Sequence, residues 1–105
     1  MSDAPAEGNP PQPREDAIRR VLEIVNKKGL HARASAKFVQ TVEKFDAEVT
    51  VTRGSETVGG TSIMGLMMLS AATGTEITVE ARGKQAGEVM DALVALVNSG
   101  FGEED

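Results

Sequence analysis

Apolar residues recur along the chain with two periods, and the shorter period predicts strands. From Ala47 to Arg53 apolar and polar residues alternate strictly, as in a strand that buries one face. Other segments are short and either alternate or are rich in β-branched residues, and the Gly54-Ser55 pair is typical of a hairpin turn. We therefore predict strands at residues 20–26, 47–53, 56–58 and 76–82.

The longer period, of about 3.6 residues, predicts helices. Three apolar residues beginning at Phe38 recur at helical spacing with polar residues around them. Five apolar residues form one stripe in the last such segment, which Gly100 is expected to end. A middle segment is shorter and apolar on nearly all sides. We predict helices at residues 32–44, 62–69 and 84–99.

The predicted elements follow one another in the order β-α-β-β-α-β-α. Strands with one apolar face and helices with one apolar stripe indicate two layers. We predict an α+β open-faced β-sandwich, in which two long helices and one short helix cover one face of a four-stranded, mostly antiparallel sheet. The domain is expected to span residues 20–99, between a flexible Pro-rich N-terminal tail at 1–19 and a short acidic C-terminal tail at 100–105.

Composition narrows the functions that such a domain could have. The 105 residues include no cysteine, which excludes disulfides and thiol chemistry, and a single histidine leaves too few ligands for a zinc site. Aromatic residues make up 3% and the formal net charge is −5, so neither base stacking nor binding to a phosphate backbone is expected. No apolar run approaches the ~20 residues of a membrane span. We expect a soluble, cytoplasmic monomer that uses no metal or cofactor and binds neither nucleic acid nor membranes.

The only histidine lies in an unusually basic stretch. Although the protein is acidic, residues 24–42 contain no Asp or Glu, and Lys28, Arg33 and Lys37 lie close to His31 in the sequence. His31 is also predicted to begin a helix, where backbone N–H groups lack partners and attract anions. These features suit a histidine that takes up a phosphoryl group on a ring nitrogen. The residues alone leave open a surface histidine beside a loop that happens to be basic.

The residues of this stretch have separate predicted roles. As the N-cap residue, His31 is expected to offer a ring nitrogen to the helix as a hydrogen-bond acceptor, which would keep the ring neutral and nucleophilic. Arg33 is expected to hold phosphate oxygens with its guanidinium group. Lys28 and Lys37 would add supporting positive charge.

The predicted short helix is too apolar for one that faces water. Leu66 and Leu69 form a core face, whereas Ile63, Met64 and Met67 lie substantially on the other side. Methionines on an exposed apolar patch are common where one surface binds several partners. The alternative is a short helix that is buried on all sides.

Ser62, at the start of this helix, has two interpretations. Serine is among the favoured N-cap residues, which makes a structural cap the first of them. The second is a phosphorylation site, because the helix N-terminus would hold a phosphate there and place charge beside the apolar residues.

Two segments resemble the signature motifs of the HPr family, the histidine phosphocarriers of the bacterial phosphoenolpyruvate-dependent phosphotransferase system. Gly29-Leu30-His31-Ala32-Arg33 is similar to the family's active-site motif, and Ser62-Ile63-Met64-Gly65-Leu66 resembles its regulatory-serine segment. The resemblance covers about residues 20–99, and the predicted order of elements agrees with it.

The resemblance implies a role for each matched residue. His31 would accept a phosphoryl group on Nδ1 from enzyme I, whose donor is phosphoenolpyruvate, and pass it to a IIA protein or domain. Arg33 would be the active-site arginine, and Ser62 would match the serine that an HPr kinase modifies in many members. The docking surface for enzyme I and IIA proteins would include Ile63, Met64 and Met67. The protein would then be a covalently modified carrier and not an enzyme.

The sequence departs from the family pattern at two places. Ala34 stands where the family often has Pro, which should soften the start of the helix. Gly59-Gly60-Thr61 precedes Ser62 where Asn-Gly-Lys is common, which puts recognition by a kinase in question.

Several functions stay open at this stage. Within the family, the carrier could serve sugar uptake through a permease or a regulatory nitrogen-type relay. From a different class, a non-catalytic regulatory module could bind partners through Ile63, Met64 and Met67, although His31 beside Arg33 counts against it. A small hydrolase would need an acid–base pair or metal set, and neither is evident in the sequence.

Overall fold

The computed structural model describes residues 17–103. Four strands and three helices follow the order β-α-β-β-α-β-α, and one 3₁₀ turn comes after them. The strands are β1 (Ile18–Glu23), β2 (Glu48–Arg53), β3 (Glu56–Gly59) and β4 (Glu76–Arg82). The helices are α1 (Ala32–Val42), α2 (Ile63–Met68) and α3 (Ala86–Asn98), and the 3₁₀ turn spans Gly100–Gly102.

The strands form one sheet in the order β1-β4-β2-β3, and every neighbouring pair is antiparallel. In the central strand β4, Ile77, Val79 and Ala81 are fully buried, whereas Thr78 and Glu80 between them are only partly buried. The helices therefore cover one face of the sheet and leave the other open. This arrangement confirms the predicted α+β open-faced β-sandwich.

The core lies between the sheet and the apolar stripes of the helices. Phe38 and Val42 of α1 and Val89, Leu93 and Val97 of α3 are all buried at helical spacing. Helix α2 contributes Leu66, which is fully buried. Among residues 17–103, no helix is both long enough and apolar enough to span a bilayer.

Strand β1 begins and ends earlier than the predicted strand at 20–26. It starts at Ile18, which pairs with Ala81 and packs against the core, so residues 18 and 19 belong to the sheet and not to the predicted tail. Beyond its end, Ile24 still donates to the Thr75 carbonyl at 2.9 Å and accepts from Gly74 at 2.7 Å. The rest of the predicted N-terminal tail, residues 1–16, lies outside the described residues.

The C-terminal segment differs most from the prediction of an acidic tail beginning at residue 100. Gly100, Phe101 and Gly102 have φ angles of 67°, 59° and 70° and form a tight turn. The Gly102 and Glu103 N–H groups close it by donating to the Ser99 and Gly100 carbonyls at 3.2 and 3.1 Å. Phe101 is 1% exposed and belongs to the core. Burial of the Phe101 ring holds the segment against the domain. The polar residues around Phe101 in the sequence give no indication of this packing.

Candidate functional site

The loop between β1 and α1 is fixed by contacts to its backbone. Gly29 has a φ of +66°, and a Cβ there would collide with the Ala71 carbonyl oxygen. The Leu30 N–H donates to that same oxygen at 3.0 Å. Buried Asn26 donates through Nδ2 to the Gly29 carbonyl at 2.8 Å. The loop therefore presents His31 at a fixed position at the start of α1.

His31 is the N-cap residue of α1 through its backbone. Its φ and ψ of −77° and −177° are extended, and its carbonyl accepts from the Ser35 N–H at 2.9 Å. The N–H groups of residues 32–34 come before this first helical donor and have no partner within the helix. No acidic residue lies in the first turn. This end of α1 is therefore suited to hold an anion beside the imidazole.

The prediction that the imidazole itself caps the helix is wrong. The His31 side chain makes no capping hydrogen bond. Its Nε2 instead forms a short contact with Oε2 of Glu103, which lies 72 residues later in the chain. In the described part of the chain, Nδ1 of the ring has no hydrogen-bond partner. The His31 side chain is 26% exposed, so the ring borders solvent.

Glu103 is itself held on both sides. Its Oε1 accepts from Asn26 Nδ2 at 3.1 Å, and its Oε2 contacts His31. Burial raises the pKa of Glu103, but hydrogen bonds from His31 and Asn26 and the charges of His31 and Lys37 outweigh burial and leave the pKa below its ordinary 4.5. The side chain is therefore a carboxylate at neutral pH.

His31 and Glu103 border an open cleft of about 580 Å³. The cleft brings together all four basic or imidazole residues predicted for the site, and its lining consists of Lys28, His31, Ala32, Arg33, Lys37, Gly102 and Glu103. In the described part of the chain, three cations and one carboxylate thus line the same cleft. An imidazole in such a cleft can carry a dianionic phosphoryl group without unpaired negative charge.

The three cations are not equivalent. Lys28 and Arg33 are exposed and can reach a group bound in the cleft. Lys37 is partly buried and donates through Nζ to the Phe101 carbonyl at 2.7 Å. This bond ties Lys37 to the C-terminal turn that precedes Glu103, and its predicted role as supporting charge stays a prediction. Among residues 17–103, no group of three or more His, Cys, Asp or Glu side chains could hold a metal ion.

Sequence reasoning missed two residues of the site, Glu103 and Asn26. Glu103 was not predicted as a site residue because an acidic segment after the glycine that ends a helix is typical of a solvated tail. One signal was present, since Phe101 is an aromatic residue between two glycines in an otherwise polar segment. An apolar anchor of this kind indicates packing, and packing of residue 101 brings residue 103 toward the helix start.

Helix α2 exposes apolar side chains, as predicted, so the alternative of a helix buried on all sides is wrong. Met64 is 67% exposed, and Ile63 and Met67 are also exposed. Met68, 70% exposed, extends the group and was not predicted. We call these four residues, Ile63, Met64, Met67 and Met68, the apolar patch.

Ser62 is a structural N-cap of α2. Its Oγ accepts from the Gly65 N–H at 2.9 Å, which confirms the first of the two interpretations. The residue is exposed and precedes the apolar patch directly. Its modification by a kinase stays a prediction.

Comparisons with known proteins agree on one family. A family model described as the PTS HPr component phosphorylation site matches residues 18–99. The chain is 54% identical over 86 residues to the phosphocarrier protein HPr of Neisseria meningitidis, covering 82% of this chain and 97% of that protein. It is 41% identical over 88 residues to the phosphocarrier protein NPr of Escherichia coli, covering 83% and 98%. The crystal structure of HPr-C-His from Thermoanaerobacter tengcongensis superposes with a TM-score of 0.80 at 42% identity, over 84% of this chain and 99% of that one.

Proposed function

The chain belongs to the HPr family of histidine phosphocarriers, and on that premise we propose that His31 is the residue that carries the phosphoryl group. The protein is a phosphocarrier of the phosphotransferase system or of a nitrogen-type relay, and it carries the group from one protein to another without being a catalyst itself. Family membership implies partners within that system.

The observation that carries the proposal is the position of the His31 ring between a free helix N-terminus and a basic cleft. The unpartnered N–H groups of residues 32–34 lie next to it, and Lys28 and Arg33 line the same cleft. His31 is the only histidine in the sequence. No other side chain of the described residues combines a nucleophilic nitrogen with this much positive charge.

We assign the phosphoryl group to Nδ1 of the ring. Nε2 is occupied by the Glu103 carboxylate, which would repel a phosphoryl group placed there. In the transfer, the Nδ1 lone pair forms a bond to phosphorus while the bond from phosphorus to the donor breaks. The donor leaves with the electron pair of the broken bond, and phosphorus keeps its three terminal oxygens.

Arg33 would bind these oxygens. Its guanidinium group is exposed at the edge of the cleft and can offer two parallel N–H donors. Lys28, in the loop before His31, and Lys37 would lower the electrostatic cost of bringing a dianion to the protein. The helix N–H groups would complete the set of donors.

We further propose that phosphorylated enzyme I is the donor and a IIA protein or domain the acceptor. Both would dock on the apolar patch, which lies on the helix that follows the β3 strand and packs against α1. Exposed methionines can repack against different partners, as a carrier with a donor and an acceptor requires. Phosphorylation of Ser62 by an HPr kinase would place a phosphate at the start of α2, where Ser62 Oγ accepts from Gly65 N–H, and would add charge at the edge of that patch.

The test is the intact mass of the protein after incubation with phosphoenolpyruvate, magnesium and purified enzyme I. We expect one acid-labile phosphoryl adduct on the wild-type chain and none on His31→Ala. Ser35→Ala serves as a matched control, because it removes a nucleophilic side chain from the same helix start and should keep the adduct. An adduct on His31→Ala would overturn the assignment, and ³¹P–¹⁵N coupling in the wild-type adduct would identify the nitrogen.

A further inference from the structure

The Glu103 carboxylate lies against Nε2 of the one histidine of the chain, and its role so far is only to exclude that nitrogen as the phosphoryl acceptor. We propose that Glu103 is a positioning residue for phosphoryl transfer: it holds the His31 ring in one orientation and in the tautomer that carries the proton on Nε2. The inference rests on the proposed role of His31 as the acceptor. It adds that the acceptor nitrogen is selected by a carboxylate from the far end of the chain.

The contacts of Glu103 fix its side chain in place. Its side chain is 12% exposed and both of its oxygens are engaged, one by His31 and one by Asn26. Asn26 is 2% exposed and shares its Nδ2 between Glu103 and the Gly29 carbonyl. One buried amide therefore fixes both the loop that precedes the histidine and the carboxylate that faces it.

The segment that carries Glu103 is anchored independently of the histidine. Phe101 is buried in the core even though it has a left-handed φ of 59°, a conformation that disfavours residues other than glycine. Lys37 donates to the Phe101 carbonyl at 2.7 Å, and Glu103 N–H closes the turn on Gly100. Because none of these contacts involves the Glu103 side chain, we expect a substitution there to leave the fold intact.

The chemistry follows from the ionised state of the carboxylate. A carboxylate has only acceptor oxygens, so the ring nitrogen that faces it has to donate a proton. With the proton on Nε2, the lone pair of the neutral ring lies on Nδ1, which is the nucleophile. When Nδ1 bonds to phosphorus, Nε2 keeps its proton and the ring gains one positive charge, which the adjacent carboxylate offsets. An aspartate that orients a catalytic histidine in serine proteases acts by the same principle.

Within the described ranges, the other charged residues that line the cleft are cations. Lys28 in the loop and Arg33 and Lys37 on α1 line the cleft, and Glu103 reaches it from the position directly after the 3₁₀ turn. Within residues 17–103, Glu103 is the only carboxylate in that lining. Among the residues that the structure describes, its removal would leave only positive charges in the cleft lining, a setting that disfavours the imidazolium formed on transfer.

The experiment compares Glu103→Gln and Glu103→Ala with the wild type. Since the chain has one histidine, ¹⁵N labelling of histidine gives the ring signals of His31 alone and reports its tautomer directly. The second readout is the rate of phosphorylation by enzyme I between pH 5.5 and 8.5. Glu56→Gln, an exposed carboxylate at the start of β3, is the matched control.

We expect both Glu103 variants to lose the preference for the Nε2–H tautomer and to be phosphorylated about tenfold more slowly, the effect typical of a residue that orients a reacting side chain. Their pH profiles should shift, whereas that of Glu56→Gln should not. Glu103→Asp should recover less than full activity, because its shorter side chain reaches the ring poorly.

The outcomes separate this inference from the proposed function. If the wild type forms no adduct on His31, the role of His31 itself fails. If the wild type is phosphorylated and the Glu103 variants keep its tautomer, or lose less than threefold in rate, only the positioning role is overturned. Glu103→Gln is nearly isosteric, so it gives an answer even if Glu103→Ala disturbs the turn.

Discussion

Backbone conformation and steric crowding each require glycine at residue 29. Its φ of +66° is left-handed, and a Cβ would also meet the Ala71 carbonyl oxygen. Gly54 in the β2–β3 turn shares only the first property, since its φ is +61° but a Cβ there would have nothing within 4 Å. The two positions therefore separate backbone strain from crowding.

We expect Gly29→Ala to destabilise the protein more than Gly54→Ala. A left-handed alanine costs about 1 kcal/mol at either position. Crowding at residue 29 adds about 1–2 kcal/mol, because the loop has to move away from residue 71. Urea denaturation of both variants measures the difference, and equal losses of stability would show that the loop yields freely. Gly29→Ala should also slow phosphorylation, since the loop carries His31.

At this scale the sequence predicts only the part of the site that is contiguous. Lys28, His31, Arg33 and Lys37 lie within ten residues, so their charge pattern could be read without knowing the fold. Glu103 reaches the ring through the burial of Phe101, a tertiary contact with no local signature. The error about the imidazole cap has the same origin, because a distant carboxylate competes for the ring.

Elements whose pattern is strong were predicted closely, and those that depend on neighbours were not. Strand β4 alternates throughout and is buried between two strands, and its observed bounds equal the predicted ones. Strand β1 is an edge strand, and its start is set by the pairing of Ile18 with Ala81. The residues of β1 alone do not predict this pairing. The 3₁₀ turn depends on one buried ring and was predicted as part of a tail.

Helix α2 is the element on which docking depends. We expect Met64→Asp to raise about tenfold the Michaelis constant of enzyme I for this protein. The substitution removes apolar area that docking would bury, and the new carboxylate has to be desolvated. The fold should be unchanged, since Met64 is 67% exposed. Val21→Asp is the control: Val21 is 59% exposed on β1, and it alternates with buried Leu22 and so faces away from the helices. Equal Michaelis constants for wild type and Met64→Asp would contradict docking at the patch.

Over the whole molecule, charge is divided between the surface and the cleft. The formal net charge is −5, yet the cleft lining of the described residues holds three cations and one carboxylate. The acidic surface discourages the binding of anions outside the cleft, and the positive charges in the cleft favour a phosphoryl group there. The same distribution predicts that salt weakens the binding of partner proteins. The size of this effect should depend on the charges around the binding sites of the partners.

The stability of the whole fold should depend on pH through Glu103. Its pKa in the folded protein lies below 4.5, so the carboxylate stabilises the native state above that pH, and this contribution is lost as the pH falls through the lowered value. We expect wild type to exceed Glu103→Gln by about 1 kcal/mol in free energy of unfolding at pH 7. Denaturation at pH 3 should show a clearly smaller difference. A gap that is constant between pH 7 and pH 3 would show that the contact does not depend on ionisation.

The C-terminal turn also has a consequence for biosynthesis. A ribosome makes Asn26 and His31 long before Glu103, and the two ends of this contact are 72 residues apart. A nascent or truncated chain that stops short of residue 101 has the histidine, the loop and the basic residues but neither the ring that seats the turn nor the carboxylate that faces the imidazole. Once residues 101–103 have been added and have left the ribosome, a chain whose histidine has no carboxylate partner becomes one with an oriented acceptor.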